Sequence, residues 1–213
     1  GFAPYCRTKN YKWNNHLAEA TAAAANGMLL SNHSYGWNTN GLPSYLFGSY
    51  NTETADWDPL LFNAPHYLMV TSAGNDGNSG LTYDLLTGRQ LCKNNLTVAN
   101  VTDAVIDSFG NLVSTTVFTT SSTGPTDELR IKPDIAGNGV SVSGTDIQNE
   151  WSSNYNSGGT SWAAPNITGS LLLLQQHYNN LNGNFMKAAT LKGLALHTAD
   201  NVGPIGPDAQ SGW

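Results

Sequence analysis

A serine among small residues at the start of an apolar helix, and an asparagine at the end of an apolar strand, are the two features here that could do chemistry. The serine lies in Gly158-Gly159-Thr160-Ser161-Trp162-Ala163-Ala164-Pro165, where loop turns into helix. In a first helical turn a hydroxyl feels the positive end of the helix dipole, and small neighbours let another molecule's backbone come close. Helix capping by Thr160 or Ser161 is the plainer alternative. Capping does not require the two glycines before the pair or the two alanines and proline after it. The asparagine lies in Thr71-Ser72-Ala73-Gly74-Asn75-Asp76-Gly77, at the carboxyl end of a predicted parallel strand, where open α/β sheets place their ligands. Asn75 could donate a hydrogen bond to an oxyanion, although Asn-Asp-Gly alone also makes an ordinary turn.

The elements that must hold these residues follow from the pattern along the chain. Leu17 to Asn26 is an alanine-rich helix former ending at Gly27, where a left-handed cap is easy, and Met28 to Ser31 reads as a short buried strand. A helix over Asp56 to Ala64, a break at Pro65 and His66, and an apolar strand over Tyr67 to Thr71 repeat the theme. Further β-rich runs cover Asn95 to Val101 and Leu112 to Thr120. Ser121 to Ser157 reads as loops with a short strand near Val140 to Val142. Thr160 to about Tyr178 carries so many apolar residues, Leu171 to Leu174 among them, that the pattern predicts a helix buried at the centre. A last helix spans about Phe185 to Ala199. Helices alternating with short apolar strands predict an α/β fold with a parallel sheet covered on both faces.

Taken together the motifs resemble one family. Gly159-Thr-Ser161-Trp-Ala-Ala-Pro165 looks like the nucleophile motif of the subtilisin-like serine proteases, and Ala73-Gly-Asn-Asp-Gly77 looks like their oxyanion-hole motif, in the family's order. Ser31-Asn-His-Ser-Tyr-Gly36 resembles the strand that pairs with substrate, and Lys132-Pro-Asp-Ile-Ala136 resembles the family's Lys-Pro-Asp loop. Leu194 to Asp200 is similar to the helix that normally ends in Asn-Thr-Ala, with His197 where Asn is usual. The resemblance implies a three-layer α/β fold with a mainly parallel central sheet and helices on both faces. It implies that Ser161 attacks the scissile carbonyl and that Asn75 holds the oxyanion. Ser34, Tyr35 and Gly36 would pair with substrate and wall the first specificity pocket, with Gly74 and Gly159 beside them, and Trp37 is expected to add bulk at its rim.

The same resemblance marks two departures. Family triads run Asp, His, Ser, with the histidine in a His-Gly-Thr-His motif, and neither upstream segment is present. Gly1-Phe-Ala-Pro4 looks like the Gly-x-Ala-Pro that follows the histidine helix. Residues 1–213 are therefore read as a single, partial peptidase domain, incomplete at its N-terminal side. Such a fragment is expected to be inactive alone and prone to self-association through exposed sheet edges. His16, His33, His66, His177 and His197 all lack the flanking motif and read as structural or surface residues.

Composition narrows the alternatives. Of 213 residues only 11% are charged, and polarity is carried by Asn (25), Thr (21) and Ser (18), which excludes a charge-rich disordered tail and a coiled coil. A net charge of −6 with scattered basic residues argues against nucleic-acid binding, and no apolar run is long enough for a membrane span. The expected partners are protein or peptide substrates, and the expected setting is secreted or the cell envelope. An α/β-hydrolase reading of Gly159-Thr-Ser161-Trp-Ala163 fails on order, since both acids after Ser161, Asp200 and Asp208, follow the last histidine. A non-catalytic scaffold of the same family is the remaining alternative. No cofactor is expected; the resemblance allows structural calcium, with Asp76, Asp84, Asp127 and Asp146 as candidate oxygens, but none has a diagnostic spacing and solvated loop acids are the favoured reading. Cys6 and Cys92 read as one disulfide or as two inert buried thiols, with thiols favoured.

Overall fold

The computed structural model describes residues 3–81, 84–144, 158–203 and 205–213, so part of the predicted loop segment Ser121 to Ser157, together with Asp146, lies outside the described residues. Helix α1 spans His16–Ala25 and ends as its sequence demands: the Asn26 N–H bonds back to the Ala22 and Ala23 carbonyls, and Gly27 takes φ +84°. Strand β1 is Leu30–His33, two residues later than expected. Pairing with the next strand decides this, because Leu30 stands opposite Leu68 while Met28 packs between α1 and α2. Helix α2, Thr52–Asn63, by contrast begins earlier than expected. Its start is set by Asn51, whose side chain accepts from the Glu53 and Thr54 N–H groups.

Strands β2 (Leu68–Ser72), β3 (Leu96–Val101) and, after a two-stranded ribbon of β4 (Val105–Ile106) and β5 (Leu112–Ser114), β6 (Ile135–Asn138) complete the sheet. Its order is β1-β2-β3-β6, all parallel. The ribbon is antiparallel and separate, so the β-rich run Leu112 to Thr120 contributes only three strand residues. No strand covers Val140 to Val142. Ser141 takes φ +55° there, and β6 forms five residues earlier.

Helix α3, Thr160–Asn182, lies across all four strands of the sheet, and α4, Ala188–His197, packs beside it. Alternation along the strands divides the core cleanly. Leu68, Val70, Leu96 and Val98 meet Ala163, Ala164, Leu171 and Leu191 on one face. Tyr67 and Met69 meet Ala20, Trp57 and Leu61 on the other. The three-layer α/β architecture is therefore present. Helix α3 is buried on one stripe only: Leu171 is 2% exposed but Leu173 is 44% exposed. The helix forms an outer layer, so its far face meets solvent despite its leucines. Both cysteines are unpaired thiols. Cys92 is buried, and burial pushes its thiol up, whereas Cys6 is exposed, contrary to the expectation of two buried thiols.

Candidate active site

Gly159 is the residue before α3, and neither Thr160 nor Ser161 caps the helix. The capping alternative is thereby removed, because both hydroxyls point to other segments. The Ser161 Oγ donates to the Ser34 carbonyl at 3.2 Å, and the Ser34 Oγ donates to the Ser161 carbonyl at 2.9 Å. These reciprocal bonds tie the start of α3 to the chain that leaves β1.

Asn75 is fixed from the same helix. Its Oδ1 accepts from the Thr160 N–H at 2.9 Å and lies 3.1 Å from the Thr160 hydroxyl, which in turn accepts from the Gly74 N–H at 3.1 Å. A planar amide whose oxygen is held this way can offer only its Nδ2 to a ligand. The bond uses one of the orphan N–H groups of the first helical turn, so helix formation itself orients the amide. Gly159 lies beside it: a Cβ there would meet Asn75 Oδ1 at 3.6 Å and Nδ2 at 3.8 Å, ordinary contacts that would cover the amide without displacing it. Gly159→Ala should therefore fold as well as the parent, yet lose about 10-fold or more of any turnover that uses this amide. Thermal melts beside peptide-hydrolysis rates check both halves.

Thr160 was not singled out by the sequence as more than a cap, and its role as a bracket between Gly74 and Asn75 depends on the meeting of two distant segments. Arg89 was missed as well. Its guanidinium lies over the Tyr35 ring at 4.6 Å, donates to the Tyr35 carbonyl at 3.0 Å and pairs with Glu53 at 2.6 Å. With that carbonyl taken by Arg89 and the Ser34 carbonyl bonded to Ser161 Oγ, the backbone acceptor left along the expected substrate-pairing segment is that of Gly36. Trp37 packs its indole on Gly88 of the Gly88–Leu91 turn, where a Cβ would come within 3.0 Å, so it braces this turn instead of standing free at the rim.

The histidines are placed elsewhere. Along β1 and the residue that follows it, Asn32 and Ser34 face α3, accepting from Thr168 and bonding Ser161 respectively. Ser31 and His33 accordingly face the α2 layer, where the His33 ring bonds Ser31 Oγ at 2.8 Å and Tyr35 OH at 2.9 Å against Trp57. His33 is thus across the sheet from Ser161. His16 stacks near Trp57, and His66 bonds the Met186 carbonyl. His177 lies sixteen positions along α3 from Ser161, about 24 Å at 1.5 Å per residue.

Burial, helped by the Arg89 and His16 charges, lowers the His33 pKa to about 3. A depressed pKa means that the unfolded chain takes a proton that the folded chain refuses, so the stability held by neutral His33 is complete above pH 6.5 and declines as pH falls toward 3. Urea titrations between pH 7 and 4 should show a falling unfolding free energy. His33→Gln should flatten that slope.

Of the candidate calcium oxygens, Asp76 accepts from Thr39 at 2.6 Å and its N–H donates to the Ser122 hydroxyl. Asp84 and Asp127 converge at Gly48, where an added Cβ would collide with Asp84 Oδ2 and lie 2.9 Å from Asp127 Oδ1. Burial and then Asp127 raise the Asp84 carboxyl. Among the described residues no group of three or more His, Cys, Asp or Glu is placed to hold a metal.

Residues 6–213 match the family model described as the subtilase family. The chain belongs to the subtilase family. The fold agrees, since this subtilase superposes on the prenylagaramide maturation protease PagA with a TM-score of 0.66, at 20% identity over 98% of the chain and 66% of PagA. The patellamide maturation protease PatA gives 0.67 at 21% identity over 99% of the chain and 70% of PatA, and a lanthipeptide protease gives 0.64 at 17% over 93% and 63%. At these identities the likeness is one of fold. This subtilase spans just under two thirds of the length of PagA. No curated protein sequence matches it. Among its described residues, no helix is long and apolar enough to cross a membrane.

Proposed function

We propose that this subtilase is the nucleophile-bearing part of a serine endopeptidase, in which Ser161 attacks the scissile carbonyl and Asn75 Nδ2 donates to the oxyanion. The observation that carries this reading is the fixed amide. The Thr160 N–H holds Asn75 Oδ1 at the start of the helix that carries Ser161, which leaves Nδ2 as the amide's free donor and supports its reading as the oxyanion donor. Ser34, Tyr35 and Gly36 receive the substrate strand, and Gly74 and Gly159 keep the approach to the amide open. Protein or peptide substrates in a secreted or cell-envelope setting suit the chain's sparse charge.

No histidine hydrogen-bonds to Ser161 among the described residues, and without a general base its hydroxyl stays protonated and weakly nucleophilic. In this reading Ser161 has no general base of its own among these 213 residues, and the isolated chain is inactive. Strand β1 hydrogen-bonds only to β2 among the described strands, and its free edge favours self-association when the chain is produced alone. Fluorophosphonate labelling tests this directly: the isolated chain should react far more slowly than an active protease, and a comparable rate would refute the proposed inactivity. Reading the preceding coding sequence for an Asp-x-Gly strand and a His-Gly-Thr-His helix separates the protease from the non-catalytic scaffold. Substitution of either catalytic residue would favour the scaffold.

A further inference from the structure

Pairing between β1 and β2 ends at His33 and Thr71. Beyond that point Ser34–Gly36 and Ala73–Asn75 both run against Gln90, and the Ser161 Oγ reaches the Ser34 carbonyl of the first. Both segments carry a glycine. The space their missing side chains leave converges on one group, the Gln90 amide: a Cβ at Gly36 would lie 3.2 Å from Gln90 Nε2, and a Cβ at Gly74 would lie 3.4 Å from the same atom. Ser122 Oγ, 2.9 Å from the Gly74 position, completes the floor. Gln90 and Ser122 are both buried, at 4% and 0% exposed.

The Gln90 amide cannot turn over freely. Thr87 and Gln90 form a capping box around the Gly88–Leu91 turn, in which Gln90 Oε1 accepts from the Thr87 N–H at 2.7 Å. With the oxygen committed, the group presented between the two glycines is an N–H donor. Ser122 Oγ is engaged by Asp76, accepting from its N–H at 3.0 Å and lying 3.5 Å from its Oδ2. The nearby Asp76 carboxylate makes the floor unwelcoming to another anion.

We infer that the gap between these two segments is a substrate cleft whose specificity Gln90 sets, limiting its depth and selecting, on the acyl side of the scissile bond, a short neutral side chain that ends in a hydrogen-bond acceptor, such as asparagine or serine. Large apolar side chains are excluded twice: they meet the amide before they are fully buried, and they leave its N–H groups without a partner. This rests on the reading of Ser161 as the nucleophile of a peptidase, and the test separates the two.

In full-length protein carrying Ser161→Ala, the affinities of tetrapeptide acids differing only in their last residue are measured by calorimetry. The expected result is an asparagine-ended peptide binding about 10-fold or more tightly than leucine- or phenylalanine-ended ones. Gln90→Ala should deepen the cleft and reverse that order. Gln90→Glu keeps the bond to Thr87 and the side-chain length while replacing the donor. It should therefore abolish the preference for asparagine and favour a short cationic residue such as 2,4-diaminobutyrate, a test that does not depend on the alanine variant folding well. Tightest binding of phenylalanine or leucine by the parent, an unchanged order in both Gln90 variants, or no binding of any peptide would overturn the inference. Turnover of a mixed peptide library by full-length protein with Ser161 intact decides the peptidase reading separately: cleavage with an order indifferent to Gln90 sinks only the cleft assignment. Binding that follows Gln90 without any cleavage sinks only the peptidase.

Discussion

Replacing Ser161 by alanine in the full-length protein should lower peptide turnover by about 10⁶-fold, the scale known for the nucleophile of subtilisin, while leaving the fold intact. The Ser161 hydroxyl contributes one hydrogen bond, to the Ser34 carbonyl, and the bond returned from Ser34 Oγ goes to the Ser161 backbone and survives the change. A melting temperature within a few degrees of the parent beside lost hydrolysis is therefore the expected pair of measurements. Asn75 needs a subtler variant. Asn75→Ala should cost about 10² to 10³ in turnover, but it also frees the Thr160 N–H. Asn75→Asp keeps the acceptor for Thr160 and removes only the donor, so a comparable loss in Asn75→Asp assigns the effect to Nδ2. Retained activity in that variant would remove Asn75 from the chemistry.

The largest expected effect on stability lies behind the site. Asp134, buried before β6, accepts from Lys132 Nζ at 2.5 Å, from Lys192 Nζ at 2.8 Å and from the Thr97 N–H at 2.7 Å. Burial works to raise its carboxyl, but Lys132 and Lys192 override this and hold it below the usual carboxylate range. Lys132 is itself lowered to about 8, because burial outweighs the attraction of Asp134. Asp134→Ala would leave Lys132 buried with only the neutral acceptors Asn95 and Thr97. Breaking such a pair from one side costs about 3 to 5 kcal/mol, to be read as a shift in urea midpoint at pH 7. With its partner gone, the Lys132 pKa falls further, so the variant's stability should rise as pH increases and the ammonium loses its proton. Replacing both residues with apolar ones of similar size should recover much of the loss. A single variant as stable as the parent would show that the cluster is solvated.

How far the fold could be read from the sequence depended on the kind of signal. The alanine run of α1 with Gly27 after it, and the apolar runs of β2 and β3, carry their own local explanation and appear within a residue or two of their predicted places. Elements fixed by partners were displaced. Strand β1 slid by two residues because β2 sets its register, and β6 formed at Ile135–Asn138, where it pairs with β3, instead of around Val140. Apolar content alone overstated the burial of α3, since a helix on one face of a sheet buries one stripe however many leucines it carries.

The candidate site divides in the same way. Ser161 and Asn75 stand in continuous motifs and are named from sequence. The residues that orient or floor them, Thr160, Arg89 and Gln90, act across long separations and leave faint local traces. For Gln90 the trace is a Thr87-x-x-Gln90 capping signature, which explains the amide oxygen and gives no hint that the nitrogen faces two glycines from other segments.

The most direct test of Ser161 as nucleophile is to treat active full-length protein with a fluorophosphonate and locate the adduct by peptide mass spectrometry. A single modified residue at Ser161, with loss of hydrolysis in proportion to labelling and no adduct in Asn75-containing peptides, is the predicted result. Cleavage of peptides by a protein whose Ser161 stays unmodified, or an inactivating adduct on another serine, would contradict it.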